Sequence, residues 1–137
     1  MGYASYVAAV AEVSVSNRGK VKVHRLVMGT DSGHVVNPDQ VTAQVEGSVA
    51  YGLSALLVQE CTVKNGRIVE ENFDTYPVLL MEDFPKIETV IAPSGGFWGG
   101  VGEPTICVAA PAVLNAIYAA TGKCPTTHPL KNVSLRA

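Results

Sequence analysis

Residues Glu12 to Gly29 read EVSVSNRGKVKVHRLVMG, and this stretch decides the fold class. Val13 and Val15 fall on one side of an extended chain, Glu12 and Ser14 on the other, the period-two pattern of a strand with one wet face. Asn17-Arg18-Gly19-Lys20 is a compact turn signal, and Val21, Val23 and Arg25 resume period two beyond it. Two alternating runs joined by a short glycine-bearing turn predict a β-hairpin. Its first arm reaches back through Val- and Ala-rich sequence to about residue 4.

Outward from the hairpin, Thr30-Asp31-Ser32-Gly33 breaks the strand, and Asn37-Pro38 has the form of an N-cap and first helical residue. From Asp39 to about Leu57, Val41, Val45, Val49, Gly52, Leu53 and Leu56 recur at helical steps. Gly47 and Gly52 inside that helix each cost about 1 kcal/mol against Ala, which points to close contact with a backbone or ligand, or to tight packing. A second strand pair is expected over Val58–Val63 and Arg67–Val69, turned by Asn65-Gly66. Residues 71–85, with NFDTYP, read as an ordered loop, and Lys86–Ile91 as a strand. Glycines 95, 96, 99, 100 and 102 follow, then a helix from near Pro104 to Gly122 that Pro111 kinks or splits. The expectation is a single α+β domain over 1–137, a mixed sheet of hairpin-connected strands packed against two main helices.

Composition narrows the function classes. Apolar residues make up 47% and charged residues only 16%, a low share that fits a surface partly covered by other protein. The net charge of −2 draws the chain neither to nucleic acid nor to an anionic membrane. The start has no basic flank of a signal peptide, and no run reaches the roughly 18 apolar residues of a membrane span. Cys61, Cys107 and Cys124 lack ligand-like spacing and are expected as reduced, buried or half-buried thiols. They leave the compartment, cytoplasmic or periplasmic, open.

Glu103 stands out between the glycines and Pro104. An acid at a helix start meets free N–H groups and the positive end of the dipole, yet Glu is an uncommon cap. The residues alone leave two readings, a solvated helix-start acid or a carboxylate aimed at a ligand. GGVGEP lacks the Lys and Ser/Thr of a phosphate loop. Gln44 and Glu46 lie beside Gly47 on the first helix, either on its wet side or needing partners if buried. His24, His34 and His128 have no companion at metal-ligand spacing, so no protein-ligated metal is expected. No GxSxG elbow is present. Phe97 and Trp98 are either plugs into the core or walls of a pocket.

Asp31-x-Gly33, Asn37-Pro38, Gln44-Val45-Glu46-Gly47, Gly52-Leu53, Asn65-Gly66, Tyr76, Gly100-Val101-Gly102-Glu103-Pro104, Pro111-Ala112 and Ala120-Thr121-Gly122-Lys123 together resemble the C-terminal segment of a molybdenum-cofactor-binding large subunit. The family is that of xanthine dehydrogenase and aldehyde oxidoreductase. FWGGVGEP and NFDTYPVL are most similar to the isoquinoline 1-oxidoreductase β-subunit branch. The resemblance runs from about Gly2 to Leu135. It implies oxidation of an N-heteroaromatic or aldehyde with water-derived oxygen. By position, Glu103 matches the family's active-site glutamate, the base toward the attacking hydroxyl, and Gln44 the glutamine that contacts the pterin. Gly100 and Gly102 would let the loop approach the cofactor, which the family holds through its pterin rather than through side chains. Cys124 stands where a basic residue is common.

Members of that family are several times longer. The chain is therefore expected as a fragment or split subunit, cofactor-free and inactive alone. The remaining large-subunit segments and an iron–sulfur subunit would be its partners. The alternative is a non-catalytic assembly or binding module, self-associating as a homodimer when isolated. A stand-alone hydrolase has no nucleophile or metal set to support it.

Overall fold

The computed structural model describes residues 4–136. Strand β1 (Tyr6–Val15) and strand β2 (Val21–Asp31) form the expected antiparallel hairpin. Gly19, at φ +80°, closes its turn, its N–H donating to Ser16 O at 2.7 Å. The pairing runs Glu12↔Arg25 and then Val13↔Val23, which leaves His24 as an extra residue on β2. Such a bulge reverses the phase of the strand. Val23 points inward before it, and Leu26, Met28 and Thr30 point inward after it. Arg25 therefore does not share the face of Val21 and Val23, as unbroken alternation predicts. It lies on the wet face between Glu12 (3.5 Å) and Glu88 (3.3 Å).

Helix α1 (Pro38–Leu57) starts where the sequence places it. Asn37 Oδ1 accepts from the N–H groups of Asp39 (3.0 Å) and Gln40 (3.2 Å), and Pro38 occupies the first turn. The helix is the crossover that brings the chain back parallel to β2, since parallel strands need a long connection. The chain between α1 and the returning strand differs from expectation. Only Val63–Lys64 (β3) and Arg67–Ile68 (β4) pair, across Asn65-Gly66. The arm expected from Val58 is missing because the N–H groups of Val58 and Gln59 are taken by Ser54 O at the helix end. Residues 71–85 form an ordered loop with a 3-10 turn at Met81–Asp83, pinned to α1 by Leu79 N–H on Ser54 Oγ (2.9 Å).

Strand β5 (Lys86–Ile91) pairs parallel with β2 from Arg25↔Lys86 to Thr30↔Ile91, giving a mixed sheet of order β1-β2-β5. Helix α2 (Glu103–Thr121) lies against β1 and α1, with Ala109, Val113 and Ile117 fully buried, and ends on Gly122 at φ +70°. Pro111 does not split it. That residue is exposed, and water can serve the carbonyl that loses its helical donor. By length and composition α2 could cross a bilayer, but here its apolar stripe is packed on the sheet and α1. The core is Val45, Val49 and Leu53 of α1 against Leu26 and Met28 of β2 and the buried stripe of α2. This is the expected α+β arrangement.

The two helical glycines behave differently. A Cβ at Gly52 would lie 3.1 Å from Ile106 O and 3.2 Å from Ala109 Cβ, so Gly52 sets the α1–α2 approach. Gly47 faces open space, and the contact expected there is absent. The three cysteines are free and exposed, not buried or half-buried, because each sits on an outer helix face or in a loop outside the packed layers.

Candidate functional site

The glycine loop, residues 93–102, joins β5 to α2 across the end of β2. Asp31, the last residue of β2, holds its near side. Its Oδ1 accepts from Gly33 N–H (2.8 Å) and from Ser94 N–H and Oγ (3.1 Å each). These bonds, the Gly33 amide first and the Ser94 amide second, hold the Asp31 carboxyl below the usual carboxylate range. Gly95 N–H donates to Gly33 O (3.1 Å), Gly99 N–H to Ser32 O (2.9 Å), and Ser5 Oγ to Gly100 O (2.6 Å). Two glycines permit this closeness. Gly33 is at φ +78° and a Cβ there would strike Phe97 O, while a Cβ at Gly99 would strike Ser5 Oγ and lie 2.7 Å from Ala4 O. Phe97 and Trp98 are exposed, so neither plugs the core. Trp98 stacks on His34 at 5.5 Å between ring centroids.

The loop delivers Gly102 as the N-cap of α2 and Glu103 as its first residue, followed by buried Pro104. The Glu103 carboxylate is exposed and has no hydrogen bond or ion pair among the described residues. It does not cap its own helix. Gln44, in the second turn of α1, comes to the same corner. Its Oε1 lies 3.1 Å from where a Cβ of Gly102 would stand, and its amide has no hydrogen-bond partner among the described residues. Glycine at 102 is what lets that amide stand against the backbone preceding Glu103. The structure thus gathers Gln44, Gly102 and Glu103, with Gly100 two residues upstream. Glu46 is exposed and has no recorded contact with this corner.

One helical turn beyond Gln44, Ser48 Oγ meets Thr105 Oγ1 at 2.6 Å. Both are interior, at 4% and 0% exposure. Ser48 Oγ also lies 2.7 Å from Val45 O and Thr105 Oγ1 2.8 Å from Gly102 O, so each hydroxyl has a backbone carbonyl within donating distance as well as the other hydroxyl. This clamp ties the Gly102 backbone to the helix that carries Gln44. The sequence reading misses it, and the available signal was a Ser four residues from Gln44 on a helix face otherwise built of Val. Among the described residues no three His, Cys, Asp or Glu side chains gather to hold a metal ion.

Comparison with known proteins places the fold and the family. The fold recurs in molybdenum enzymes. The aldehyde oxidoreductase from Desulfovibrio gigas superposes with a TM-score of 0.78 at 25% identity, over 97% of this chain and 16% of that one. The Cu,Mo-CO dehydrogenase superposes with a TM-score of 0.77 at 22% identity, over 86% of this chain and 16% of that one. Residues 1–85 match the molybdopterin cofactor-binding domain, and the chain belongs to that family. It is 37% identical over 122 residues to the membrane-bound aldehyde dehydrogenase [pyrroloquinoline-quinone] of Gluconacetobacter polyoxogenes, covering 88% of this chain and 16% of the relative. To the isoquinoline 1-oxidoreductase subunit beta of Brevundimonas diminuta it is 32% identical over 128 residues, 93% of this chain and 16% of the relative. The resemblance read from the sequence therefore holds. The chain spans about a sixth of the length of these relatives.

The groups at this corner are chemically compatible with the edge of a molybdenum–pterin cofactor. It offers an unpartnered amide at Gln44, a backbone kept bare at Gly102, and the free N–H groups of the first turn of α2.

Proposed function

We propose that this chain is the C-terminal part of the cofactor-binding domain of a molybdenum hydroxylase and forms one wall of its active site. The complete enzyme oxidises an aldehyde or an N-heteroaromatic compound with oxygen taken from water. The observation that carries this reading is the approach of Gln44 Oε1 to Gly102, 3.1 Å from its would-be Cβ. It sets a candidate pterin contact beside the backbone that presents Glu103. Gln44 orients the cofactor edge, and Gly100 and Gly102 leave the loop backbone close to it. Glu103 takes the proton from the attacking hydroxyl. A base must be unprotonated at rest and within reach of its proton, and a carboxylate free of internal partners is available for that contact. When bound, the molybdenum–pterin group supplies the two-electron sink.

The remaining walls come from other large-subunit segments, and the electrons leave through an iron–sulfur subunit. The chain alone is cofactor-free and inactive. Its span of about a sixth of its relatives' length supports the need for further segments. In the complete assembly, Glu103→Gln keeps the shape of the side chain and removes the base. Turnover should fall by roughly 10²–10⁴-fold, the usual worth of general base catalysis, with molybdenum content unchanged. Normal turnover would sink the assignment.

A second reading, a non-catalytic assembly module, is favoured by Phe73 and Met81, each 90% exposed. A dimer that forms with rising concentration of the isolated chain would support it, and a concentration-independent monomer would remove it.

A further inference from the structure

A cleft of about 500 Å³ lies at the last turn of α1. Gln44 is in the second turn, roughly 20 Å away at 1.5 Å per residue, so the cleft is separate from the Gln44–Gly102 corner. Its floor is apolar, formed by Val21, Val23, Leu57, Leu79, Leu130 and Val133. Its walls carry Arg18, Lys20 and Lys131 against a single acid, Asp83; Lys22 also borders the cleft, but its side chain turns to the opposite face of the sheet with Ser14. Three of the ten Lys and Arg residues of a chain with net charge −2 thus flank this one cleft. Lys131 is paired with Glu60 at 3.6 Å. Arg18, Lys20 and Lys22 have no ion pair among the described residues.

The backbone presenting these cations is fixed. A Cβ at Gly19 would lie 2.8 Å from Arg136 N, so the hairpin tip rests on the C-terminal tail, and Lys123 Nζ donates to Arg136 O. Unpaired cations held together repel one another and attract an anion. Beside an apolar floor, the complementary ligand has a charged head and an apolar body. The volume lies within the range of ligand sites, about 300–1,000 Å³.

We propose that this cleft binds an amphipathic anion. Its apolar body lies on the floor between Val21, Leu57, Leu79 and Leu130, and its carboxylate, phosphate or sulfonate is held by Arg18 and Lys20 of the hairpin tip. The site does not depend on the function proposed above. The test is titration of the 137-residue chain with monomeric decanoate, followed by amide NMR shifts. Saturable shifts confined to residues 18–23, 57–58, 79 and 130–133 are expected. The exposed pair Arg18→Glu/Lys20→Glu should weaken binding by about tenfold or more, and so should raising salt from ~50 to ~500 mM. Decanol should bind about tenfold more weakly than decanoate, or worse. The proposal is overturned by shifts that do not saturate, by shifts centred elsewhere, or by equal binding of decanol. Association with phosphatidylglycerol vesicles without decanoate binding would also overturn it, because the cations would then be reading a surface rather than filling a site.

Discussion

The corner between α1, α2 and the glycine loop, and the excursion from Val58 to Pro85, both expose large apolar side chains, yet their backbones are held in opposite ways. In the corner, beside the local Gly33–Asp31 and Thr105–Gly102 bonds, four anchors join distant parts of the chain: Ser5 to Gly100, Ser32 to Gly99, Asp31 to Ser94, Ser48 to Thr105. In the excursion the bonds are mostly local, Val69 to Thr62, Tyr76 to Asn72, Asp83 to Leu80. Its ties to the body are the Leu79–Ser54 bond and the contacts of Glu60 with Asn132 and Lys131. A site that must hold two groups in fixed relation needs anchors of the first kind. The excursion, with Phe73 and Met81 bare, has the character of a surface shaped to be covered.

Glycine substitutions test that contrast most severely. Gly33→Ala forces an alanine to φ +78° and drives its Cβ into Phe97 O; the expected loss is about 3 kcal/mol by urea unfolding. Gly66→Ala has a similar φ of +74° but nothing within 4 Å, so about 1 kcal/mol is expected. Equal losses would erase the distinction. Thr105→Val comes next. It removes the hydroxyl that Ser48 and Gly102 O share across the two helices, while Ser48 keeps Val45 O, at an expected cost of about 1 kcal/mol, most of which Thr105→Ser should restore. In the excursion, Phe73→Ser should change stability by less than about 0.5 kcal/mol in the isolated chain; a larger loss would mean that the loop packs in solution.

The smallest effect is a pH dependence. The folded pKa of Asp31 is depressed by the Gly33 and Ser94 amides. The stability this contributes is therefore present above the unfolded carboxylate pKa and is lost as pH falls through the folded value. The amide signals of Gly33 and Ser94 should hold steady from neutral pH down to the ordinary carboxylate range and move only below it. Asp31→Asn should abolish that transition.

Much of the fold was legible because its signals are local. Asn37-Pro38, Asn65-Gly66 and Gly122 each carry their own backbone chemistry, and the valine spacing of α1 survives any tertiary context. The facing of Arg25 was not legible. It depends on the bulge at His24, which exists only in register with Glu12 and Val13. The missing arm at Val58 was hidden for a related reason, since Ser54 O takes its N–H only once the helix has formed. In the site, spacing alone left Glu103 and Gln44 open, and the family resemblance singled them out. What the structure adds is the meeting of Gln44 with Gly102 and the Ser48–Thr105 clamp. The clamp joins residues 57 positions apart, and the Gln44–Gly102 approach spans as much, beyond the reach of any periodicity.

The central claim is that the Gln44–Gly102 corner contacts the cofactor. The most direct measurement is the molybdenum and pterin content of this chain coexpressed with its genomic neighbours, for the natural sequence and for Gln44→Ala. Stoichiometric cofactor in the first complex and a several-fold loss in the second, with both complexes assembled, is the predicted result. Full cofactor in both assemblies would contradict the account.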